Sequence, residues 1–272
     1  MMTEDQKIVD GIKKRFNNEV NEWRNIYKSK ASKSDIIAWE ALRRKEYVKQ
    51  ELVEYFFSRE ISLLDIGCGT GNVLSEILEI NDSWKGTGVD ISNNMIEFCK
   101  ENNENGVYRV LDINCEKLND QFDVALLMGV VGYLDNNGRV FNNIETMLKK
   151  DGFIIFTYGK SGTLSRRIRS IYLSWPNIPV LSGIINAFRK ILRGSEPVLK
   201  SAIKDFQLYT QDQLKRELDG KFSIIDTYNI CYVAGTLGLL SVFFNRLLEK
   251  LFNGRDPLNL ALTQIVIAQK VN

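Results

Sequence analysis

The sequence predicts an α/β fold with a doubly wound, seven-stranded and mostly parallel sheet, an N-terminal helical lid and a helical cap insertion. Short apolar runs alternate with helical segments after residue 58. A glycine-rich turn directly follows the first run, and acidic residues stand at the ends of three successive runs. The chain has 272 residues, 44% of them apolar and 26% charged, which is ordinary globular composition and enough length for one domain with appended segments.

The first 58 residues are predicted to be helical. A polar stretch carries Trp23, Ile26 and Tyr27, and residues 34–57 then place large apolar side chains at roughly helical spacing. Ser34 is the predicted N-cap of this second stretch. We expect residues 1–58 to form a lid over the core.

Five strands are predicted in the core, residues 59–158, and two near the end of the chain. The core strands are residues 61–66, 87–90, 107–112, 122–127 and 153–158. Residues 222–230 and 263–270 complete the sheet, after a helix that begins near Thr210 and runs through Leu218.

Two stretches of the chain are not needed to form this sheet. Residues 159–205 form a predicted cap insertion, and residues 231–257 form a second one within the C-terminal part, residues 206–272. Two long uncharged runs in this region, residues 170–188 and 227–245, are interrupted by prolines or glycines, so neither is expected to span a membrane. We expect these two runs to form walls of a large apolar pocket, which favours a ligand with substantial hydrophobic area.

The first cap is strongly basic, although the whole chain carries a net charge of only +2. Between residues 159 and 200, eight basic side chains oppose a single acid. One interpretation is an Arg-rich segment that makes peripheral contact with an anionic membrane. The sequence favours the other, a lid whose apolar face covers the ligand while its basic side chains face water.

The absence of certain residue types excludes several kinds of catalytic and metal-binding chemistry. The chain has no histidine, which excludes triads built on histidine and His-ligated metals, and no metal is expected. Its four cysteines form no C-x-x-C pair, so neither a zinc site nor a disulfide framework is predicted. The polar N-terminus lacks the pattern of a secretory signal, and we expect a cytoplasmic protein.

The strongest motif lies in residues 63–72, where a buried strand runs into three glycines and then opens a helix. Such a turn lets backbone amides approach a ligand and directs a helix N-terminus toward it. Asn72 stands where the dinucleotide-binding fingerprint has its third glycine, so pyrophosphate binding of the usual kind is not expected. Asp90 and Asp112 close the next two strands, where a carboxylate can accept hydrogen bonds from ribose hydroxyls.

These motifs resemble, in order, those of the Rossmann-like (class I) S-adenosylmethionine-dependent methyltransferases of the small-molecule type. The resembling segments are residues 65–71, 90, 112, 122–124, 128–134 and 148–152. The resemblance covers residues 36–158 closely and the last two strands loosely. It implies S-adenosylmethionine as cofactor, S-adenosylhomocysteine as product, and methyl transfer to O or N of an apolar small molecule such as a lipid, a prenylated compound or a secondary metabolite.

The resemblance also assigns residues to the methionine half of the cofactor. Four residues of the glycine turn and the strand before it would line this half: Asp65, Gly67, Cys68 and Gly69. Met128 and Gly129 would pass beneath the sulfonium. Arg44, with Tyr27 or Trp23, would lie over the cofactor from the N-terminal helices.

The resemblance assigns residues to the adenosine half of the cofactor as well. Asp90 would hold the ribose, and Ile91 and Met95 would flank the adenine. Asp112 and Ile113 would fix the exocyclic amine.

Catalysis is expected to depend mainly on position. Many relatives that act on phenols or carboxylic acids carry a histidine where Gly132 stands here. Tyr133 or Tyr27 is therefore the candidate catalytic residue, as proton acceptor or aligning group. Because methyl transfer is an in-line displacement, alignment and proximity supply most of the acceleration, and a neutral amine or an ionised carboxylate needs little base.

Three other functions remain open. The chain could bind S-adenosylmethionine without catalysis, or it could be a peripheral membrane protein. Methylation of RNA or DNA is less favoured, because the fourth strand is not followed by an Asp/Asn-Pro-Pro-aromatic or Pro-Cys element and the basic cluster lies among aliphatic residues. A fainter resemblance, in residues 23–27 and 243–249, is to magnesium-protoporphyrin O-methyltransferases. The sequence leaves the oligomeric state open.

Overall fold

The computed structural model describes residues 4–27, 35–134, 137–167, 206–233 and 239–271. Seven strands lie in these ranges: β1 (Ser62–Ile66), β2 (Lys85–Asp90), β3 (Val107–Val110), β4 (Phe122–Leu127), β5 (Leu148–Gly159), β6 (Phe222–Ile230) and β7 (Thr263–Lys270). They form one sheet in the order β3-β2-β1-β4-β5-β7-β6.

The sheet is parallel except for β7, which pairs antiparallel with both β5 and β6. The chain runs outward from β1 through β2 to β3 and then crosses back to β4 on the other side of β1. Open sheets of this kind bind ligands at such a switch point, beyond the carboxyl ends of the strands. The predicted fold class is confirmed.

Helices cover both faces of the sheet. They are α1 (Glu4–Asn18), α2 (Val20–Ile26), α3 (Ile36–Phe56), α4 (Asn72–Leu78), α5 (Asn93–Asn102), α6 (Asn137–Met147), α7 (Gln211–Leu218) and α8 (Leu239–Phe252). A short 3-10 turn, Val131–Tyr133, follows β4. Within the described part of the chain, no helix combines the length and the apolar character that crossing a membrane requires.

Alternate strand residues divide between two apolar cores. Leu64 and Ala125 pack with α6 and α7 on one face of the sheet, and Leu63 and Leu126 pack with α3 and α4 on the other. This is the period of two that side chains follow along a strand. Both faces are covered, which explains why the central strands are apolar throughout.

Two predicted boundaries are corrected by local hydrogen bonds. The N-cap of α3 is Asp35, whose carboxylate accepts from the amides of Ile37 (2.8 Å) and Ala38 (3.4 Å); Ser34 lies outside the described residues. β3 ends at Val110 and not at Asp112, because its partner β2 ends opposite Val110. The predicted helix start at Thr210 is confirmed, since its side chain caps α7 in a capping box with Gln213.

Candidate active site

A cleft opens at the carboxyl ends of β1, β2 and β4, beneath α1. It encloses about 940 Å³, including the space at its open mouth. Most of the predicted site residues line it: Tyr27, Gly67, Cys68, Gly69, Asp90, Ile91, Met95, Asp112, Ile113, Met128, Gly129 and Tyr133. Trp23 also lines the cleft, whereas Asp65 and Arg44 lie behind its wall.

The glycine turn forms the floor of the cleft. Gly67, Gly69 and Gly71 have φ angles of +68°, +53° and +74°, which side chains other than glycine rarely adopt. A Cβ at Gly67 would lie 2.4 Å from the Val130 side chain, whereas a Cβ at Gly69 would meet nothing within 4 Å. The turn therefore packs closely at Gly67 and presents bare backbone to the cleft at Gly69.

Two strand-end acids are held in fixed orientations. Buried Asp90 accepts from the amides of Gly69 (Oδ2, 2.9 Å) and Ser92 (Oδ1, 2.9 Å). Burial raises the pKa of Asp90, and the backbone amides oppose that rise. Asp112 Oδ1 accepts from the amide (3.0 Å) and side chain (2.9 Å) of Asn114. Each carboxylate still has lone pairs that can accept from a ligand's hydroxyl or amino groups.

Asp65 is the unusual acid of the site. It lies at 2% exposure within β1, and its Oδ2 is buried without a hydrogen-bond partner among the described residues. Burial, together with the nearby charge of Asp90, raises the pKa of Asp65 to about 8. A buried polar atom in a native structure almost always has a partner, so this oxygen, just behind the cleft wall, is an exception next to the site.

Apolar side chains line the cleft beside these acids. Met95 and Ile113 are buried, Ile91 is half-buried, and all three line the cleft. Apolar side chains together with carboxylates and an open glycine turn are the kind of lining that the adenosine of S-adenosylmethionine requires.

The two candidate catalytic tyrosines both line the cleft. Burial raises the pKa of Tyr27, and the charge of Arg44 opposes that rise. Burial likewise raises the pKa of Tyr133, and the charge of Arg15 and a hydrogen bond with it oppose the rise. Both phenols therefore keep their protons at neutral pH. The Tyr133 ring packs edge-on against Phe16, with the ring centroids 5.3 Å apart.

Arg44 approaches the cleft from behind. Its Nη1 lies 2.6 Å from the position that a Cβ on Gly129 would occupy. Gly129 has φ +79°, and its amide donates to Thr157 Oγ1 (2.7 Å). The glycine thus makes room for the guanidinium behind the backbone that lines the cleft.

Residues of α1 were not predicted as site residues. Val9, Ile12 and Phe16 line the cleft from above. They recur at helical spacing on a mostly polar helix, a signal that could have identified them. Thr70 and Asn114 also line the cleft without having been predicted.

The described part of the second predicted wall, residues 227–233 and 239–245, does not line the cleft. α8 instead packs Ser241, Val242 and Asn245 against the protein. The first predicted wall, residues 170–188, lies outside the described residues, and so does most of the basic cluster between residues 159 and 200, of which residues 159–167 are described. Among the described residues, no group of three Cys, Asp or Glu is arranged to hold a metal ion.

A doubly wound sheet with a glycine turn and strand-end acids at its switch point defines a Rossmann-like protein that binds an adenosine-containing cofactor. The chain belongs to the methyltransferase domain family, whose model matches residues 39–219. This confirms the predicted family and, with it, S-adenosylmethionine as the cofactor.

Curated relatives match part of the chain. Malonyl-[acyl-carrier protein] O-methyltransferase of Acetivibrio thermocellus is 30% identical over 102 residues, which is 36% of each chain. Juvenile hormone acid O-methyltransferase of Drosophila melanogaster is 31% identical over 102 residues, which is 34% of each chain. The matched segment thus spans about a third of the length of these two relatives.

Solved structures share the fold over nearly the whole chain. Magnesium protoporphyrin IX methyltransferase from Synechocystis, with bound SAM, superimposes with a TM-score of 0.60 at 12% identity, covering 97% of both chains. A TehB-like SAM-dependent methyltransferase from Corynebacterium glutamicum gives a TM-score of 0.54 at 15% identity, covering 94% of this chain and 98% of the other. At these identities the similarity establishes the fold.

Proposed function

We propose that the protein transfers a methyl group from S-adenosylmethionine to a carboxylate oxygen of an apolar small molecule. The observation that carries this proposal is a cleft at the carboxyl ends of the strands that apolar and aromatic side chains line together with two phenols that stay protonated at neutral pH. The chain has no histidine to act as base. An acceptor that is already ionised suits such a site best.

The cofactor would lie along the ends of β1, β2 and β4. When bound, it would supply a methyl group on a positively charged sulfur: the acceptor oxygen forms a bond to the methyl carbon as the carbon–sulfur bond breaks, and the neutral thioether S-adenosylhomocysteine leaves. Asp90 holds the ribose hydroxyls, and Asp112 with Ile113 holds the adenine amine. The Gly69 backbone borders the methionine half, and the Asp65 carboxylate balances its positive charge. Ile91 and Met95 would flank the adenine. Gly67 and Cys68 belong to the same turn as Gly69. Met128 and Gly129 would line the cleft below the sulfur.

The acceptor would enter from the side of the N-terminal helices. Val9, Ile12 and Trp23 provide apolar surface for its hydrocarbon part. Tyr27 and Tyr133 act as hydrogen-bond donors that orient its carboxylate, and Arg44 contributes positive charge nearby, whereas the charge of Arg15 is balanced by Glu19 (Nε–Oε1 3.0 Å). Holding the oxygen in line with the methyl group accounts for most of the acceleration.

Two of the similar proteins support this choice of acceptor group. The Drosophila relative is named for an acid substrate, and the Acetivibrio relative for a malonyl group. A lipid-like, prenylated or secondary-metabolite acid fits the apolar mouth.

The proposal is tested with three acceptors that share one hydrocarbon chain: dodecanoic acid, dodecanol and dodecylamine. Each is incubated with the full chain and methyl-labelled S-adenosylmethionine, and labelled product is extracted. We expect methyl ester from the acid and no product from the alcohol. Transfer to the amine alone would overturn the carboxylate assignment. Cofactor binding without transfer to any acceptor in a wider panel of apolar acids would favour the non-catalytic alternative.

A further inference from the structure

α8 buries three polar side chains and exposes five large apolar ones, although Val242 is buried as well. Ser241 and Asn245 are fully buried, and Glu249 is nearly so. The Asn245 side chain accepts from the Val233 amide (2.9 Å) and donates to the Val233 carbonyl (2.9 Å). Arg43 on α3 donates to Glu249 through Nε (3.1 Å) and Nη2 (2.5 Å). These bonds fix the rotation of the helix, so its outward face is a defined surface.

That outward face is a continuous apolar stripe. We call it the α8 stripe; it consists of Leu240, Phe243, Phe244, Leu247 and Leu251, which are 38%, 60%, 39%, 43% and 66% exposed. Their spacing places all five within an arc of roughly 100° along the helix. Single exposed apolar residues are common on soluble proteins, but a contiguous stripe of this kind marks an interaction surface.

The charges around the stripe indicate what covers it. Arg246 and Lys250 are exposed, and their spacing puts them along one edge of the stripe. Glu249, the acid of α8, is buried against Arg43 and offers no exposed negative charge. Arg255, just beyond the helix, is exposed as well. The surface is therefore apolar at its centre and basic at its edge.

We propose that the α8 stripe docks the protein on an anionic lipid bilayer. A helix that lies in the membrane interface has this construction, with leucine and phenylalanine on one side and basic residues beside them. Anionic lipid headgroups attract each such basic residue. A second copy of the chain with α8 antiparallel is a poorer partner, because a two-fold contact of that kind through the stripe brings Arg246 and Lys250 of both copies close together.

This docking is independent of methyl transfer. No residue of the α8 stripe lines the cleft. A protein held on a bilayer would meet apolar acceptors where they are most concentrated. Variants of the stripe can therefore lose membrane binding while they retain activity toward an acceptor dissolved in solution.

The experiment is sedimentation of the full chain with vesicles, either of phosphatidylcholine alone or of phosphatidylcholine mixed with phosphatidylserine. The wild type should sediment with the anionic vesicles and be released by high salt. Phe243→Ser combined with Leu247→Ser should weaken binding at least roughly tenfold, since two large apolar side chains are lost. Arg246→Glu combined with Lys250→Glu should abolish the preference for phosphatidylserine.

The matched control is Val53→Ser combined with Phe57→Ser, which changes two apolar side chains exposed elsewhere (39% and 55%). It should sediment like the wild type. Circular dichroism and cofactor binding establish that each variant is folded. Absence of wild-type sedimentation, or sedimentation unchanged in both α8 variants, would overturn the proposal. A wild-type dimer that the Phe243 and Leu247 changes convert to a monomer would also overturn it, in favour of a second copy.

Discussion

Asp65 links the chemistry of the site to the stability of the protein. Its carboxyl group is buried beneath the glycine turn, and its pKa is raised to about 8, mainly by burial. At neutral pH the unliganded protein therefore holds a proton there that the unfolded chain would release. A positively charged ligand near this oxygen would favour the ionised form, so cofactor binding should release a proton.

This raised pKa predicts a specific pH dependence. Between the ordinary value of 3.8 and about 8, the folded state binds more protons at Asp65 than the unfolded chain does. Its contribution to stability is fully present below about pH 4 and is lost as the pH rises through about 8, with a limiting slope of about 1.4 kcal/mol per pH unit. Asp65→Asn should remove this slope from the free energy of unfolding.

Urea unfolding of the unliganded protein at several pH values between those limits measures the effect. Asp123→Asn is the control, because the pKa of Asp123 is lowered: burial raises it, but Lys149 and Ser62 outweigh that effect. Its contribution is present above its ordinary pKa and is lost only as the pH falls through the lowered value. Identical pH profiles for wild type and Asp65→Asn would show that Asp65 is not protonated in the folded state.

Single residues differ in how far the sequence predicts them. Asp90 and Asp112 could be placed in the site because parallel strands bring their carboxyl ends to one edge of a sheet. The N-cap of α3 could not be chosen between Ser34 and Asp35, since both residue types cap helices well. The partnerless oxygen of Asp65 could not be foreseen either, because burial depends on elements distant in the chain.

At the scale of elements, α8 shows where hydropathy misleads. The uncharged run 227–245, which includes its first half, was predicted to form a pocket wall, but α8 turns an apolar stripe outward instead. Two contacts turn the polar side of α8 inward, one between Asn245 and Val233 and one between Glu249 and Arg43. Both join residues whose pairing cannot be predicted from periodicity. A buried polar stripe is stable because each of these groups has a partner.

Helix α1 is fastened over the cleft at its C-terminal end. Asn17 Oδ1 accepts from the Ser92 hydroxyl (2.7 Å) and the Asn94 amide (3.3 Å), and the Asn94 side chain donates to the Asn17 carbonyl (2.9 Å). Ser92 and Asn94 lie at the start of α5, beside Asp90. The lid is thus joined to the strand end that is proposed to hold the ribose.

Asn17→Ala should loosen this lid. Loss of these side-chain bonds costs about 1 kcal/mol, which corresponds to roughly fivefold weaker cofactor binding. Hydrogen exchange in α1 should rise in the variant, both with and without S-adenosylhomocysteine. Asn102→Ala is the control, because the Asn102 side chain bonds only within α5, to the Phe98 carbonyl (2.8 Å). Unchanged exchange in α1 would contradict the role of Asn17.

The whole molecule presents two surfaces with separate tasks. The cleft at the carboxyl edge of the sheet is proposed to bind cofactor and acceptor, and the α8 stripe is proposed to bind a bilayer. All seven strands were predictable, because alternating apolar runs and the glycine turn depend on short stretches of sequence. The coverage of the cleft by α1 and the outward face of α8 depend on how distant elements pack, which short stretches do not encode.

The most direct test of the account is the thermal stability of the protein with S-adenosylhomocysteine. At a ligand concentration about 100 times the dissociation constant, binding should add about 2.7 kcal/mol to the free energy of unfolding. For a chain of this size that raises Tm by roughly 5–10 °C. Asp90→Ala should abolish the rise. Asp123→Ala, which removes an acid at the opposite end of the sheet, should retain it. A rise that survives in Asp90→Ala, or its absence in the wild type, would contradict the cofactor site described here.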